Sequence, residues 1–153
     1  MRVLFPLGLL LIAVPLRAQD GASADQHALQ GEWTMVSASV NGATYPNTTG
    51  TRHVVGDTTT VIVNGQLLMQ AVFTVDPSAS PKSIDYSVFA GALNGAHLLG
   101  IYRLDGSTLT FCMTSPGGIR PTGFETENGD GRTCTVWRKE RLSRINSGWI
   151  PPQ

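Results

Sequence analysis

From Gly31 onward, apolar residues recur at every second position in short runs and almost nowhere at helical spacing. The runs are rich in Val, Thr, Ile, Leu and Phe, and glycine-bearing turns separate them, which is the signature of an all-β sandwich or barrel. Eight strands are predicted: Trp33–Val40, Arg52–Val55, Thr58–Val63, Leu67–Val75, Lys82–Phe89, His97–Leu104, Thr108–Thr114 and Thr133–Lys139. Leu67, Met69, Ala71, Phe73 and Val75 alternate with their neighbours, as do Ile84, Tyr86 and Val88. Successive side chains on a strand point to opposite faces, so each alternating set defines one dry face.

Two turns carry the register. Asn64-Gly65 and Asp105-Gly106 are dipeptides favoured in two-residue type I′ hairpins, where both central residues need positive φ. With Asp105-Gly106 at the turn, Leu104 faces Ser107, Tyr102 faces Leu109, and Gly100 faces Phe111, leaving room for that ring. Leu98, Gly100, Tyr102 and Leu104 then share the dry face with Leu109, Phe111 and Met113. His97, Arg103, Thr108, Thr110 and Thr114 take the wetter face, together with Leu99 and Ile101.

Four segments fall outside this pattern. Residues 1–18 combine Arg2, an apolar stretch from Val3 to Val14 and a small residue at Ala18, the layout of a cleaved secretory signal peptide. A membrane-spanning helix needs about 20 apolar residues, and this run is shorter and holds prolines. Residues 19–28 are small and polar and read as a flexible lead-in. Ser115–Asp130, with Pro116, Gly117, Gly118, Pro121 and Gly129, is the largest loop. The tail 142–153 ends in Trp149-Ile150-Pro151-Pro152, which cannot continue a sheet.

Removal of residues 1–18 leaves 135 of the 153 residues, enough for one barrel domain over 29–141 with its own core. It also leaves nine basic residues against eleven acidic ones, a net of −2. That balance points away from nucleic acid and from anionic membrane surfaces. An exported chain is expected in the periplasm or the secreted fraction, where Cys112 and Cys134 have the chance to pair. Two separately buried thiols are the alternative.

Catalytic chemistry is poorly represented. His27, His53 and His97 stand at no metal-ligand spacing, and no cysteine or acid completes a cluster with them. Asp76 and Asp105 have turn roles, and Asp85, out of phase with Ile84 and Tyr86, is expected to be solvated. No serine occupies a nucleophile elbow, and no glycine-rich loop precedes a helix. The expectation is a protein that is not an enzyme and needs no cofactor or metal. Asn47-Thr48-Thr49 has the form of a glycosylation sequon and reads more simply as a polar loop.

Several segments, in order, resemble the lipocalin-like domain family that is abundant in planctomycete bacteria. They are Leu29-Gln30-Gly31-Glu32-Trp33, Asp76 to Asp85, Gly100 to Gly106 running into Leu109-Thr110-Phe111-Cys112, and Arg120-Pro121-Thr122-Gly123-Phe124. The resemblance spans roughly residues 29 to 141 and implies an eight-stranded, antiparallel, up-and-down, lipocalin-like barrel. It implies no activity. The chain departs from the family's pattern in its short, Thr/Asn-rich Ala43–Gly50 connection and in its second cysteine, Cys134. Likeness to lipocalins further implies that Trp33, after Gly31, closes one barrel end beneath an arginine following the last strand. Arg138 or Arg141 matches that place, with Arg138 the expected partner.

An eight-stranded barrel is wide enough to be filled by side chains or to hold one small ligand. Met69, Phe73, Tyr86, Tyr102, Phe111 and Met113 are the candidate lining of an apolar site, although for most of them solid core is the favoured reading, since the strands are short and the aromatics few. A small hydrophobic ligand is the expected partner. The alternative is a cell-envelope interaction module that makes contact through Ser115–Asp130 and the Trp149-bearing tail.

Overall fold

The computed structural model describes residues 24–141. Residues 1–18, expected to be a signal peptide, the start of the lead-in and the tail with Trp149 lie outside the described residues.

The chain forms β1 (Gly31–Val40), β2 (Ala43–Thr44), β3 (Gly50–Val55), β4 (Thr58–Val63), β5 (Gln66–Asp76), β6 (Ser83–Ala90), β7 (His97–Asp105), β8 (Thr108–Thr114) and β9 (Arg132–Lys139). β1 and β3 to β9 pair antiparallel in sequence order, and β1 closes on β9, so the protein is an eight-stranded up-and-down barrel. Closure removes the free edges that an open sheet of this length would expose. β2 only extends β1 in a hairpin across the turn Asn41-Gly42. All eight expected strands form, because short alternating runs with glycine turns specify local hairpins, and consecutive hairpins are how such a barrel is wound.

Two details of register differ from expectation. Asn64-Gly65 is a hairpin turn with both residues at positive φ, flanked by the pair Val63 and Gln66. At the β7–β8 turn, however, the flanking pair is Asp105 and Thr108, so Gly106-Ser107 occupy the corner and only Gly106 has positive φ. Glycine at the first central position is the type II′ arrangement, which relieves Asp105 of a left-handed conformation. Gly100 therefore faces Met113 rather than Phe111, and Tyr102 faces Phe111. The slip is two residues, so the dry face keeps its members. A side chain at Gly100 would meet Met113 Cγ at 3.1 Å and the Cys112 carbonyl oxygen at 3.0 Å.

The second difference is a bulge. Val61 pairs with Met69 and Ile62 with Leu67, which leaves Leu68 as the extra residue. The bulge inverts the phase of the strand at its start, so Leu68 packs on the core and Leu67 is exposed, against the inward place expected for it. Beyond the bulge Met69, Ala71 and Phe73 are buried as expected.

The lead-in is not featureless throughout. Residues 24–29 form a short helix. Gly31, at φ 106°, swings the chain from this helix into β1, a conformation that favours glycine over residues with a Cβ. The helix caps one end of the barrel. Leu29 is buried in the core, and the Gln26 and Gln30 side-chain amides donate to the Gly56 carbonyl at 2.7 and 2.9 Å. Asp25 accepts from the Tyr102 hydroxyl at 2.5 Å and pairs with Lys82 at 2.8 Å. These bonds are long-range, so local composition gave no sign of them.

The loop after β8 straps the outside of the barrel. Phe124 packs on Ile101 and on the bonded pair Cys112–Cys134, which joins directly opposite residues of β8 and β9. The Arg103 guanidinium lies 4.7 Å from the Phe124 ring centre. Arg120 donates to the Gly100 carbonyl at 2.8 Å and pairs with Asp85 at 2.6 Å. Asp85 does point outward, as expected, but it meets this arginine rather than solvent alone. The strap also explains how Leu99 and Ile101 share the outer face with polar residues: Ile101 is dry because the loop covers it.

Candidate functional site

Up-and-down winding sorts the connections to two ends. The helix 24–29 and the turns at Gly56, Gly106 and 77–82 lie at one end. The connections 41–49, 64–65, 91–96 and 115–131 lie at the other. The helix end is closed. Trp33 is buried there, and its indole N–H donates to the Leu29 carbonyl at 2.9 Å. The cation over it is the Lys139 ammonium, 5.1 Å from the ring centre and 2.9 Å from the Ala28 carbonyl. Arg138, the expected partner, is exposed instead. The reason is the two-residue period of β9: Trp137 and Lys139 face inward, so Arg138 between them faces out.

Toward the opposite end the barrel is not filled. A cavity of about 220 Å³ is walled by Met35, Val61, Val63, Leu68, Met69 and Met113, with Tyr45 and Thr48 from the 41–49 connection at its rim. Trp137, Thr135 and Arg52 line its inner part. The aliphatic and thioether walls suit an apolar guest, and methionine adapts readily to the shape of one.

Arg52 is the unexpected member. It occupies an inward position of β3, between Gly50 and Val54, and only 2% of its surface is exposed. One Nη donates to the Tyr86 hydroxyl at 3.1 Å and lies 3.5 Å from the Thr59 hydroxyl. The guanidinium carbon sits 4.2 Å from the Phe111 ring centre and 4.9 Å from that of Trp137. Stacking on rings offsets part of the cost of burying a cation, about 0.5–2 kcal/mol for each good contact. Among the described residues no carboxylate pairs with it: the ion pairs are Lys82–Asp25, Arg120–Asp85 and Arg132–Asp130. Arg52 Nε is buried and has no acceptor among the described residues. Burial pushes the Tyr86 phenol above its ordinary value, although the nearby Arg52 charge pulls it down. Tyr86 thus stays a neutral hydroxyl and does not serve as the counter-ion.

The six residues expected to line a ligand site fall into two groups. Met69 and Met113 line the cavity. Phe73, Tyr86, Tyr102 and Phe111 belong to the solid core beyond it, where Tyr86 meets Phe73 and Phe111 at 6.1 and 6.4 Å between ring centres. Tyr86 and Phe111 nevertheless touch the site through Arg52, whereas Tyr102 turns its hydroxyl to Asp25 at the closed end. Sequence reasoning missed Arg52. The signal was available in phase: if Val54 faces inward, the arginine two residues earlier does too. An arginine at the head of a short strand reads more naturally as a solvated end, and local pattern gives nothing to outweigh that.

Among the described residues no three His, Cys, Asp or Glu side chains gather in a way that would hold a metal ion. His27, His53 and His97 are all exposed.

The fold and cavity define a closed up-and-down barrel with an apolar chamber at one end. Comparison with protein-family models, with curated proteins and with solved structures gives no match for the chain.

Proposed function

We propose that this is an exported, lipocalin-like binding protein, rather than an enzyme, that carries a small hydrophobic molecule in the chamber of its barrel. The observation that carries the reading is the 220 Å³ cavity, whose walls are methionine and branched aliphatic side chains rather than a packed core. Drug-sized ligands occupy pockets of about 300–1,000 Å³, so the chamber suits a small guest or one end of a longer one. The resemblance to the planctomycete lipocalin-like family and the signal-peptide layout of residues 1–18 support placement in the periplasm or the secreted fraction.

The test is occupancy. Native mass spectrometry of protein purified from its own source is expected to reveal a retained hydrophobic molecule. In vitro, a neutral apolar fluorophore such as N-phenyl-1-naphthylamine is expected to bind the purified barrel with a blue-shifted emission. Met69→Trp, which fills the chamber from its wall, should abolish that binding while the protein still melts cooperatively. A fluorophore signal unchanged in the Met69→Trp protein would rule the chamber out.

A second reading, a cell-envelope interaction module, draws on Ile119. That side chain is 91% exposed in the strap between β8 and β9. A partner docking there would be lost on Ile119→Asp in a pull-down, with fluorophore binding unaffected.

A further inference from the structure

The chamber is apolar along its walls and cationic at its inner end. We propose that its ligand is an amphiphile with a carboxylate head, which seats on Arg52 while its chain runs toward the rim at Tyr45 and Thr48. The proposal rests on the chamber being the binding site and names the chemical class that the site would take.

Three observations point to an anion. First, a buried guanidinium without a counter-charge is strongly unfavourable even after relaxation, and no aspartate or glutamate is among the buried residues described. Second, the rings of Phe111 and Trp137 engage the guanidinium group, while its N–H edge is only partly used: one Nη is directed to the Tyr86 and Thr59 hydroxyls, and Nε donates to nothing described. Charge-assisted hydrogen bonds from arginine to a carboxylate are roughly twice as strong as neutral ones, and the planar fork matches two carboxylate oxygens. Third, the Tyr86 oxygen accepts from Arg52 as a hydroxyl, and burial keeps that phenol un-ionised, so it brings no negative charge to the guanidinium. The guanidinium is left to offer its donors to an anionic head in the chamber that it lines.

The rest of the wall decides what the anion is attached to. Among the described residues, Arg52 is the one charged side chain lining the chamber. A polyanion or free phosphate would find a single cation and then aliphatic surface. A single alkyl chain with a terminal carboxylate satisfies both ends of the site, and a chamber of 220 Å³ holds one chain rather than two.

The experiment is calorimetric titration of the purified barrel at pH 7.5 with decanoate, decanol and acetate, each below its aggregation threshold. Carboxylates are fully ionised at that pH. Decanoate is expected to bind at least tenfold more tightly than decanol, and acetate to bind negligibly, because both the head and the chain are needed. Arg52→Met should weaken decanoate at least tenfold and change decanol less than about threefold, with Arg52→Lys falling between. Replacing a buried ion by an apolar residue of similar volume is often neutral or stabilising, so the methionine variant is expected to fold, and a thermal melt checks it. The comparison of decanoate with decanol on the unmodified protein stands whether or not the variant folds. Equal affinity for the two, or decanoate binding untouched by Arg52→Met, overturns the carboxylate inference and leaves the apolar chamber in place. Failure of both decanoate and decanol to bind overturns the chamber reading itself.

Discussion

Trp33 and Arg52 are neighbours across the β1–β3 ladder, and each is a large side chain turned into the barrel, yet they do opposite things. Trp33 has its polar atom satisfied by the Leu29 carbonyl and its face covered by Lys139, so it completes the closed end. Trp33→Ala removes a fully buried ring, a loss on the order of 3–5 kcal/mol, and should lower the melting temperature by more than about 10 °C. Arg138→Ala, on the outer face, should change stability by no more than about 0.5 kcal/mol in a denaturant titration. Lys139→Met should cost about 1 kcal/mol, since it removes one ammonium–indole contact and one hydrogen bond while keeping the aliphatic stem. A larger effect from Arg138→Ala than from Lys139→Met would mean that the closure has been assigned to the wrong cation.

At the scale of elements, the loop 115–131 and the bond beneath it form one unit on the barrel's outside. Cys112–Cys134 closes a loop of 22 residues between adjacent strands, and Phe124 lies across it. In the chain-entropy account a closure of that size contributes about 3 kcal/mol. Replacing both cysteines by alanine should therefore lower the melting temperature by on the order of 10 °C, with the barrel circular-dichroism spectrum retained. Reduction of the unmodified protein should have the same effect, and reduction of the double variant none. The helix 24–29 is the matching device at the other end, too short to be stable alone. It is held by Leu29 in the core and by side-chain bonds from Asp25, Gln26 and Gln30.

For the whole molecule, the interior behaves as one low-dielectric body, and its phenols report that. Burial pushes the Tyr86 phenol up from its ordinary value. Burial, reinforced by the hydrogen bond to Asp25 and by that carboxylate's charge, does the same for Tyr102. In the unfolded chain both ionise near pH 10. Above that pH the folded protein retains protons that the unfolded chain loses, so the stabilisation is complete below about pH 10 and declines as pH rises toward the folded values. Absorbance titration at 295 nm should find Tyr86 and Tyr102 silent through pH 10–11 until the barrel opens. Denaturant midpoints should fall over the same interval. Phenolate absorbance at pH 10.5 in a still-folded protein should be unchanged by Tyr86→Phe or Tyr102→Phe, and its loss on removing either buried hydroxyl would contradict this account.

Alternation and turn chemistry settled the barrel, because each is a local property. The period of two decided which residues of β6, β7 and β8 face inward, and Asn64-Gly65 set its own hairpin. The same local rules failed where a single residue changes the phase. The Leu68 bulge, the Gly106-Ser107 corner and the choice of Lys139 over Arg138 all depend on how a neighbouring strand meets the chain. The chamber, too, belongs to the tertiary structure. Met69 and Phe73 share one face of one strand, and yet Met69 borders the cavity while Phe73 lies in solid core. Composition assigns a side chain to the interior, but only the closed barrel determines whether the space in front of it is filled. Arg52 makes the same point most sharply: its inward phase was present in the sequence, while the absence of a described carboxylate beside it follows from the packing of strands far apart along the chain.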